Sequence, residues 1–372
     1  MKKTAVLGAT GSIGKSALDV IAHNKSDFTP VLLSAHSNRN GLEEAGRPWP
    51  DAQKILSGQS GGQEKLLASI AGCGADITVN GISGAAGLEP SMAAIEAGSD
   101  LALANKETIV MAGPLVIKRA KEKNVNIIPV DSEHSAIFHL LEAHCKDGIE
   151  NLDEIILTAS GGPFRNYSVE EMEKAGPKAA LAHPTWNMGA KITIDSASMA
   201  NKGLEVIEAS RLFNLPTEKI KVVIHPQSIV HSMIKLKDGE LYAQLSRPDM
   251  RLPILKALYW PKIPMEGNGN WGFDRLDFNA LTLEFYQPDP LKFPMLPLAY
   301  EAMKKGGLYP CAYNGANEAA AAAFLAGRIG FLDIARITGY VLDRDWSAEP
   351  ADIASVMEAD RRARLLAGKE IK

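Results

Sequence analysis

Thr4-Ala5-Val6-Leu7-Gly8-Ala9-Thr10-Gly11-Ser12-Ile13-Gly14 is the stretch that decides the fold. Thr4 to Leu7 is a short apolar strand, Ser16 to Ala22 has helical periodicity, and three glycines at three-residue spacing stand between them. A strand that enters a helix through such a turn brings bare backbone N–H groups to the helix N-terminus, where a pyrophosphate binds. Gly8, Thr10, Gly11, Ser12, Ile13 and Gly14 are the candidate contacts. The spacing is G-x-x-G-x-x-G rather than G-x-G-x-x-G, so the alternative is a glycine-rich turn of some other α/β fold.

The next strand separates the two common dinucleotides. It reads Pro30-Val31-Leu32-Leu33-Ser34 and runs into Ala35-His36-Ser37-Asn38-Arg39-Asn40. An NAD site usually places Asp or Glu here for the ribose 2′-hydroxyl. This chain has no carboxylate there, while Ser37, Asn38 and Arg39 suit a 2′-phosphate. NADP is expected, unless Arg39 is an ordinary exposed loop arginine.

Further along, Ile77-Thr78-Val79, Leu101 to Ala104 and Ile127 to Val130 read as apolar strands, separated by helical stretches such as Met92 to Ala97 and Pro114 to Lys123. That alternation predicts a doubly wound parallel sheet over residues 1–130. From 131 to 258 the pattern changes. Glu154 to Thr158, Lys191 to Ile194, Lys221 to Ile224, Ile229 to Lys235 and Leu241 to Leu245 read as strands, the last two joined by Lys237-Asp238-Gly239-Glu240, a hairpin signal. A separate α+β domain carrying a metal site and a lid is expected there. Residues 259–288, rich in Pro, Gly and Asn, read as a linker, and 289–372 as a helical domain. The fold class is therefore α/β: a Rossmann-like sheet, a central α+β domain and C-terminal helices.

Composition narrows the classes. A chain of 372 residues exceeds one compact core. The net charge of −4, with no dense basic block, argues against nucleic acid as a partner. Cys73, Cys145 and Cys311 show no C-x-x-C spacing, which argues against a thiolate metal site and fits a cytoplasmic location. Lys2-Lys3 precedes apolar residues as in a signal peptide, but Gly8, Gly11 and Gly14 interrupt them at once. No run approaches membrane-spanning length.

Ionic residues concentrate in Ile194 to Glu208. With a helix starting near Ser198, at about 100° per residue, Asn201, Glu205 and Glu208 fall within about 60°, with Lys202 beside them. A solvated helix surface is the alternative. Asn105-Lys106-Glu107 and Asp131-Ser132-Glu133 each follow an apolar strand, at the sheet end where ligands collect. Asp131, Glu133 and Glu205 would make an all-oxygen site for Mg²⁺ or Mn²⁺. For Asp131 and Glu133 alone, helix N-capping is the competing explanation. Ser160-Gly161-Gly162, with Ser196, Asn201 and Lys202, suits a phosphate; a plain tight turn is the alternative. His183 to Gly189, holding Trp186 and Met188, has the make-up of a lid. His225 and His231, inside or beside strands, have weaker claims.

GATGSIG (8–14), LANKE (103–107), PVDSEHSAIF (129–138), SGGPFR (160–165), HPTWNMG (183–189), DSASMANKGLE (195–205), HPQSIVHSM (225–233) and NGANEAA (314–320) occur in this order. Together they resemble the 1-deoxy-D-xylulose 5-phosphate reductoisomerase family of the non-mevalonate isoprenoid pathway. The resemblance implies rearrangement and NADPH-dependent reduction of that substrate to 2-C-methyl-D-erythritol 4-phosphate, by carbon–carbon cleavage and rejoining rather than a direct alkyl shift. It implies Asp131, Glu133 and Glu205 as ligands of Mg²⁺ or Mn²⁺, with Co²⁺ also accepted, and Lys106, Glu133 and His183 as catalytic groups. Ser132, Ser160, His183, Trp186, Met188, Ser196, Asn201 and Lys202 would meet the phosphorylated sugar. Asn105, Glu107 and Gly189 would join the glycine turn and Ser37, Asn38 and Arg39 at NADPH. A cytoplasmic homodimer is implied as well. The main departure is His36-Ser37-Asn38, where many members carry Gly-Lys-Asn. Two other readings compete: a metal-independent NADP reductase of a phosphorylated carbonyl compound, and a non-catalytic NADP sensor.

Overall fold

The structure, a computed structural model, describes residues 1–146, 148–186, 188–262 and 273–371. The chain forms two compact units, neither continuous in sequence. One comprises Met1–Thr108, Val116–Ser135 and Asp249–Arg275; the other comprises Ile109–Leu115, Ala136–Pro248 and Leu276–Lys372. Asn187 of the expected lid and residues 263–272 of the expected linker lie outside the described residues.

The first unit is built on six parallel strands: β1 (Lys2–Leu7), β2 (Phe28–Ala35), β3 (Gln53–Leu56), β4 (Ile77–Asn80), β5 (Asp100–Leu103) and β6 (Ile127–Pro129). Their order, β3-β2-β1-β4-β5-β6, reverses between β1 and β4, the place where doubly wound sheets open a crevice for ligands. Ala5, Val6, Leu7, Leu32, Leu33 and Val79 are fully buried, as expected when helices cover both faces of a parallel sheet. β3 is missing from the sequence reading, because Gln53-Lys54-Ile55-Leu56 is a four-residue edge strand with only Ile55 buried. Such a strand has no apolar run to betray it.

Asp249–Arg275 joins this unit through long-range contacts that a chain-order partition does not reveal. The helix Arg251–Tyr259 packs on the helix Ser12–His23. Tyr259 meets Phe28 edge-on at 4.9 Å and donates its hydroxyl to Asn24 Oδ1 at 3.1 Å. Arg251 Nη1 reaches Asp19 Oδ2 at 3.1 Å.

The second unit carries a mixed sheet of β7 (Leu152–Ala159), β8 (Ile220–Ile224), β9 (Val230–Leu236) and β10 (Leu241–Leu245), in the order β10-β9-β7-β8. β7 and β8 are parallel, while β9 runs antiparallel to both β7 and β10. Four helices, Met295–Lys305, Tyr309–Leu325, Asp333–Leu342 and Ile353–Glu370, follow. The strand expected at Lys191 to Ile194 is instead part of a helix, Ala190–Ala197. The β-branched Ile192-Thr193-Ile194 invited the strand reading. In the helix Thr193 Oγ1 donates to Gly189 O at 2.9 Å and Ile194 is fully buried, so tertiary packing overrides the local preference.

One helix is bent. Lys106–Lys123 leaves helical geometry at Ala112 (φ −129°), just before Gly113-Pro114. Pro114 has no N–H for the carbonyl of Val110. Arg211 fills the gap: its Nη1 donates to Ile109 O at 2.8 Å and Val110 O at 2.6 Å. Burial lowers the Arg211 pKa to about 10, and the carbonyl oxygens of the broken turn favour the cation that remains. A Cβ on Gly113 would sit 2.6 Å from Arg211 Cδ, so glycine makes room for the stem.

Candidate active site

The glycine turn has the geometry a pyrophosphate needs. Gly8 adopts φ +78°, and a Cβ there would lie 2.8 Å from the Gly81 carbonyl oxygen. A Cβ on Gly14 would lie 2.3 Å from Gly8 O, so glycine lets the helix pack against the strand end. Gly11 differs: it is the N-cap of Ser12–His23, and a Cβ there would meet nothing closer than 3.4 Å. The space beside it, in front of the helix, is open.

At the end of β2, His36 to Asn40 are exposed. Arg39 is not in a loop; it opens the helix Arg39–Gly46, which Asn38 caps by accepting Gly41 N–H at 2.9 Å. Asn105 is still more committed. Its carbonyl oxygen accepts from Thr108 N at 3.0 Å, and its amide donates to Ile82 O, Gly84 O and Glu107 Oε2 at 2.8–3.0 Å.

Lys106, the next residue, is buried, and its Nζ lies 2.6 Å from Asp131 Oδ2. Asp131 Oδ1 meanwhile accepts Glu133 N–H at 3.2 Å. Capping is thus real, but it uses one carboxylate oxygen and leaves the other facing an ammonium group. Ser132 Oγ donates to Glu133 Oε2 at 2.6 Å. His134 is fully buried with Nδ1 3.4 Å from Asp131 Oδ1. Sequence reasoning passed over His134; the signal was its place three residues after Asp131, one turn along a helix.

In the second unit the turn after β7 meets the loop and the helix Ala190–Ala197. His183 Nε2 lies 3.0 Å from Ser160 Oγ and 3.1 Å from Ser196 Oγ. Its Nδ1 accepts the backbone N–H groups of Thr185 at 3.1 Å and Trp186 at 2.9 Å. An accepting Nδ1 puts the proton of the neutral ring on Nε2, aimed at the two serines. Burial holds this imidazole below the usual histidine range. Its hold on the 183–186 turn is full above the ordinary histidine pKa and is lost as pH falls through the lowered folded value. Imidazole ¹⁵N NMR should show a neutral Nε2–H tautomer at neutral pH; an Nδ1–H tautomer would refute this assignment.

Trp186 is half-buried, edge-on to His231 with ring centroids 6.4 Å apart, and Met188 is also half-buried. Met199, at φ 60°, separates Ala190–Ala197 from the helix Ala200–Leu212. That helix is no solvated surface: Lys202, Glu205 and Glu208 are 4%, 1% and 1% exposed. Glu205 accepts from Asn201 Nδ2 through Oε1 and from Lys202 Nζ through Oε2. His225 is structural. Its Nδ1 donates to Glu284 O at 2.9 Å, and its Nε2 accepts from Ile229 and Val230 N–H at 3.1 Å each.

Known proteins match this arrangement along the whole chain. A family model for 1-deoxy-D-xylulose 5-phosphate reductoisomerase matches residues 4–52 and 51–113. Models of its C-terminal domains match residues 127–213 and 245–366. The 1-deoxy-D-xylulose 5-phosphate reductoisomerase of Treponema denticola is 48% identical over 374 residues, covering 98% of this chain and 96% of its own. That of Chlorobium phaeovibrioides is 47% identical, covering 98% of both. The structure of the Zymomonas mobilis enzyme in complex with NADPH superposes with TM-score 0.88 at 40% identity, covering 100% of this chain and 99% of that one. A DOX-P reductoisomerase in complex with NADPH, fosmidomycin and magnesium gives TM-score 0.88 at 37% identity, covering 100% and 98%. The chain belongs to the 1-deoxy-D-xylulose 5-phosphate reductoisomerase family.

Proposed function

We infer that the chain converts 1-deoxy-D-xylulose 5-phosphate to 2-C-methyl-D-erythritol 4-phosphate, with NADPH as reductant and Mg²⁺ or Mn²⁺ as metal, in isoprenoid synthesis by the non-mevalonate route. The observation that carries this reading is the match to reductoisomerases at 47–48% identity over 98% of the chain. The residues fit both groups. The space beside Gly11, before a helix N-terminus, is open, and Asp131, Glu133 and Glu205 offer carboxylate oxygens of the kind a hard cation takes.

NADPH, when bound, would supply the hydride, and a cation held by Asp131, Glu133 and Glu205 would polarise the substrate oxygens. The protein's own groups do the rest. Lys106 Nζ, paired with Asp131 Oδ2, places positive charge where a substrate oxygen gains electron density. His183 Nε2–H, Ser160 and Ser196 donate to the phosphate, joined by Asn201 and Lys202. Ser132 binds the sugar, while Trp186 and Met188 cover it. Gly8 to Gly14, Ser37 to Arg39, Asn105, Glu107 and Gly189 form the cofactor contacts. The unit of Met1–Thr108, Val116–Ser135 and Asp249–Arg275 serves as the nucleotide-binding one, and that of Ile109–Leu115, Ala136–Pro248 and Leu276–Lys372 carries the phosphate contacts.

A coupled assay tests this directly. NADPH oxidation should require both substrate and divalent metal. Turnover without metal would favour a simple carbonyl reductase, and none under any condition would favour a nucleotide sensor.

Arg39→Ala should raise KM for NADPH with little effect on NADH, because only NADPH carries the 2′-phosphate. Equal loss for both cofactors would make Arg39 a residue of the fold. The lid reading predicts that Trp186 fluorescence and protease cleavage of the loop change when substrate or a phosphonate chelator binds, and that Trp186→Ala harms turnover more than folding. An unchanged environment at saturating ligand would reject it.

A homodimer is supported by β10, an edge strand with Leu241 53% exposed; light scattering tests it. Among the described residues no helix is long and apolar enough to cross a membrane. The three cysteines are free thiols, which supports a cytoplasmic site of action.

A further inference from the structure

The helix Ala190–Ala197 is eight residues long, too short to hold its place without tertiary anchors. Yet its Ser196 must present a hydroxyl to His183 with hydrogen-bond accuracy. Next to Ser196 lies Asp195, 1% exposed, whose two oxygens are each engaged by a different partner. Oδ1 accepts from Asn317 Nδ2 at 2.8 Å, on the helix Tyr309–Leu325, and Oδ2 pairs with Lys191 Nζ at 2.7 Å, one turn back on its own helix. Asn317 is fully buried. The backbone beyond Asp195 has no slack: a Cβ on Gly162 (φ +63°) would lie 2.6 Å from Ser196 O, so the turn holding Ser160 presses directly on the Ser196 carbonyl.

A rotation of this short helix would therefore move Ser196 Oγ away from His183 and drive its carbonyl into the 160–162 turn. Burying a carboxylate is costly unless it is fully hydrogen-bonded. Here Lys191 of the same helix and Asn317 of a different one both offset the cost, and the second contact fixes the rotation.

We propose that Asp195, held by Asn317, is a positioning residue that sets the rotation of the helix Ala190–Ala197 and so the place of Ser196 in the phosphate site. The proposal rests on the reading of Ser160, His183 and Ser196 as phosphate contacts.

Asp195→Asn keeps the shape and removes the charge-assisted acceptor. It should raise KM for the phosphorylated substrate about tenfold, leave kcat and the NADPH dissociation constant near the parent values, and weaken a phosphonate inhibitor in parallel. Asn317→Asp combined with Asp195→Asn exchanges donor and acceptor and should restore the low KM. Ser196→Ala is the control. If it leaves KM unchanged, the phosphate reading itself fails. If Ser196→Ala raises KM while Asp195→Asn lowers only the melting temperature, the positioning role is overturned. Failure of the exchanged pair to recover KM, with folding intact by circular dichroism, overturns it equally.

Discussion

Glu205→Gln is expected to lower kcat at least about 100-fold while NADPH binds with unchanged affinity. Glutamine is isosteric and keeps an acceptor for Lys202, so the helix Ala200–Leu212 should still form. The negative charge is lost, however, and with it one of the three carboxylates proposed to hold the cation. Glu205 is 1% exposed and both its oxygens already accept from Asn201 and Lys202. Removing its charge should raise the Mg²⁺ concentration needed for half-maximal rate. The check is a metal titration of turnover beside a fluorescence titration with NADPH. Normal activity at low Mg²⁺ would remove Glu205 from the metal set.

Lys106→Met should cost about 100- to 1,000-fold in kcat, for a different reason. The methionine fills the buried stem's space but takes away the ammonium 2.6 Å from Asp131 Oδ2. Asp131 is then a largely buried carboxylate without that partner, so apo stability should fall as well. Added Mn²⁺ should recover much of the melting temperature, because a cation can replace the missing charge, but not the rate. If Mn²⁺ restores the rate too, Lys106 serves only to neutralise Asp131 and has no part at the substrate. Stopped-flow NADPH oxidation with calorimetry at several Mn²⁺ concentrations separates the outcomes.

Where local pattern and tertiary requirement agree, residues and structure tell one story. Gly8-x-x-Gly11-x-x-Gly14 could be read because Gly8 and Gly14 each have a backbone reason to lack a Cβ, and the hairpin turn between β9 and β10 was legible from Asp238-Gly239. The strands β2 and β7 were legible from their apolar centres, Val31-Leu32-Leu33 and Ile155-Ile156-Leu157. β3 was not, since an edge strand with one buried side chain leaves almost no trace. Ile192-Thr193-Ile194 misled because β-branched residues prefer strands, and only the contacts around Thr193 and Asp195 make them helical. Candidate site residues were legible as types and positions, carboxylates after strand ends above all. Their partners were not. The proton position on His183 depends on the N–H groups of Thr185 and Trp186, and the anchoring of Asp195 depends on Asn317, 122 positions away. No periodicity records such pairs.

The bend at Gly113-Pro114 ties together positions that would otherwise drift separately. Replacing Pro114 by alanine would raise helix propensity on paper, but the new N–H would compete for the Val110 carbonyl now taken by Arg211. Losing Arg211 first would leave two carbonyls stranded at a break that proline prevents from healing. Either change alone is penalised, whereas both together, with a larger residue admitted at 113, describe a straight helix of ordinary composition. Related chains should therefore fall into two groups, with the bend and its arginine inherited or lost as a set.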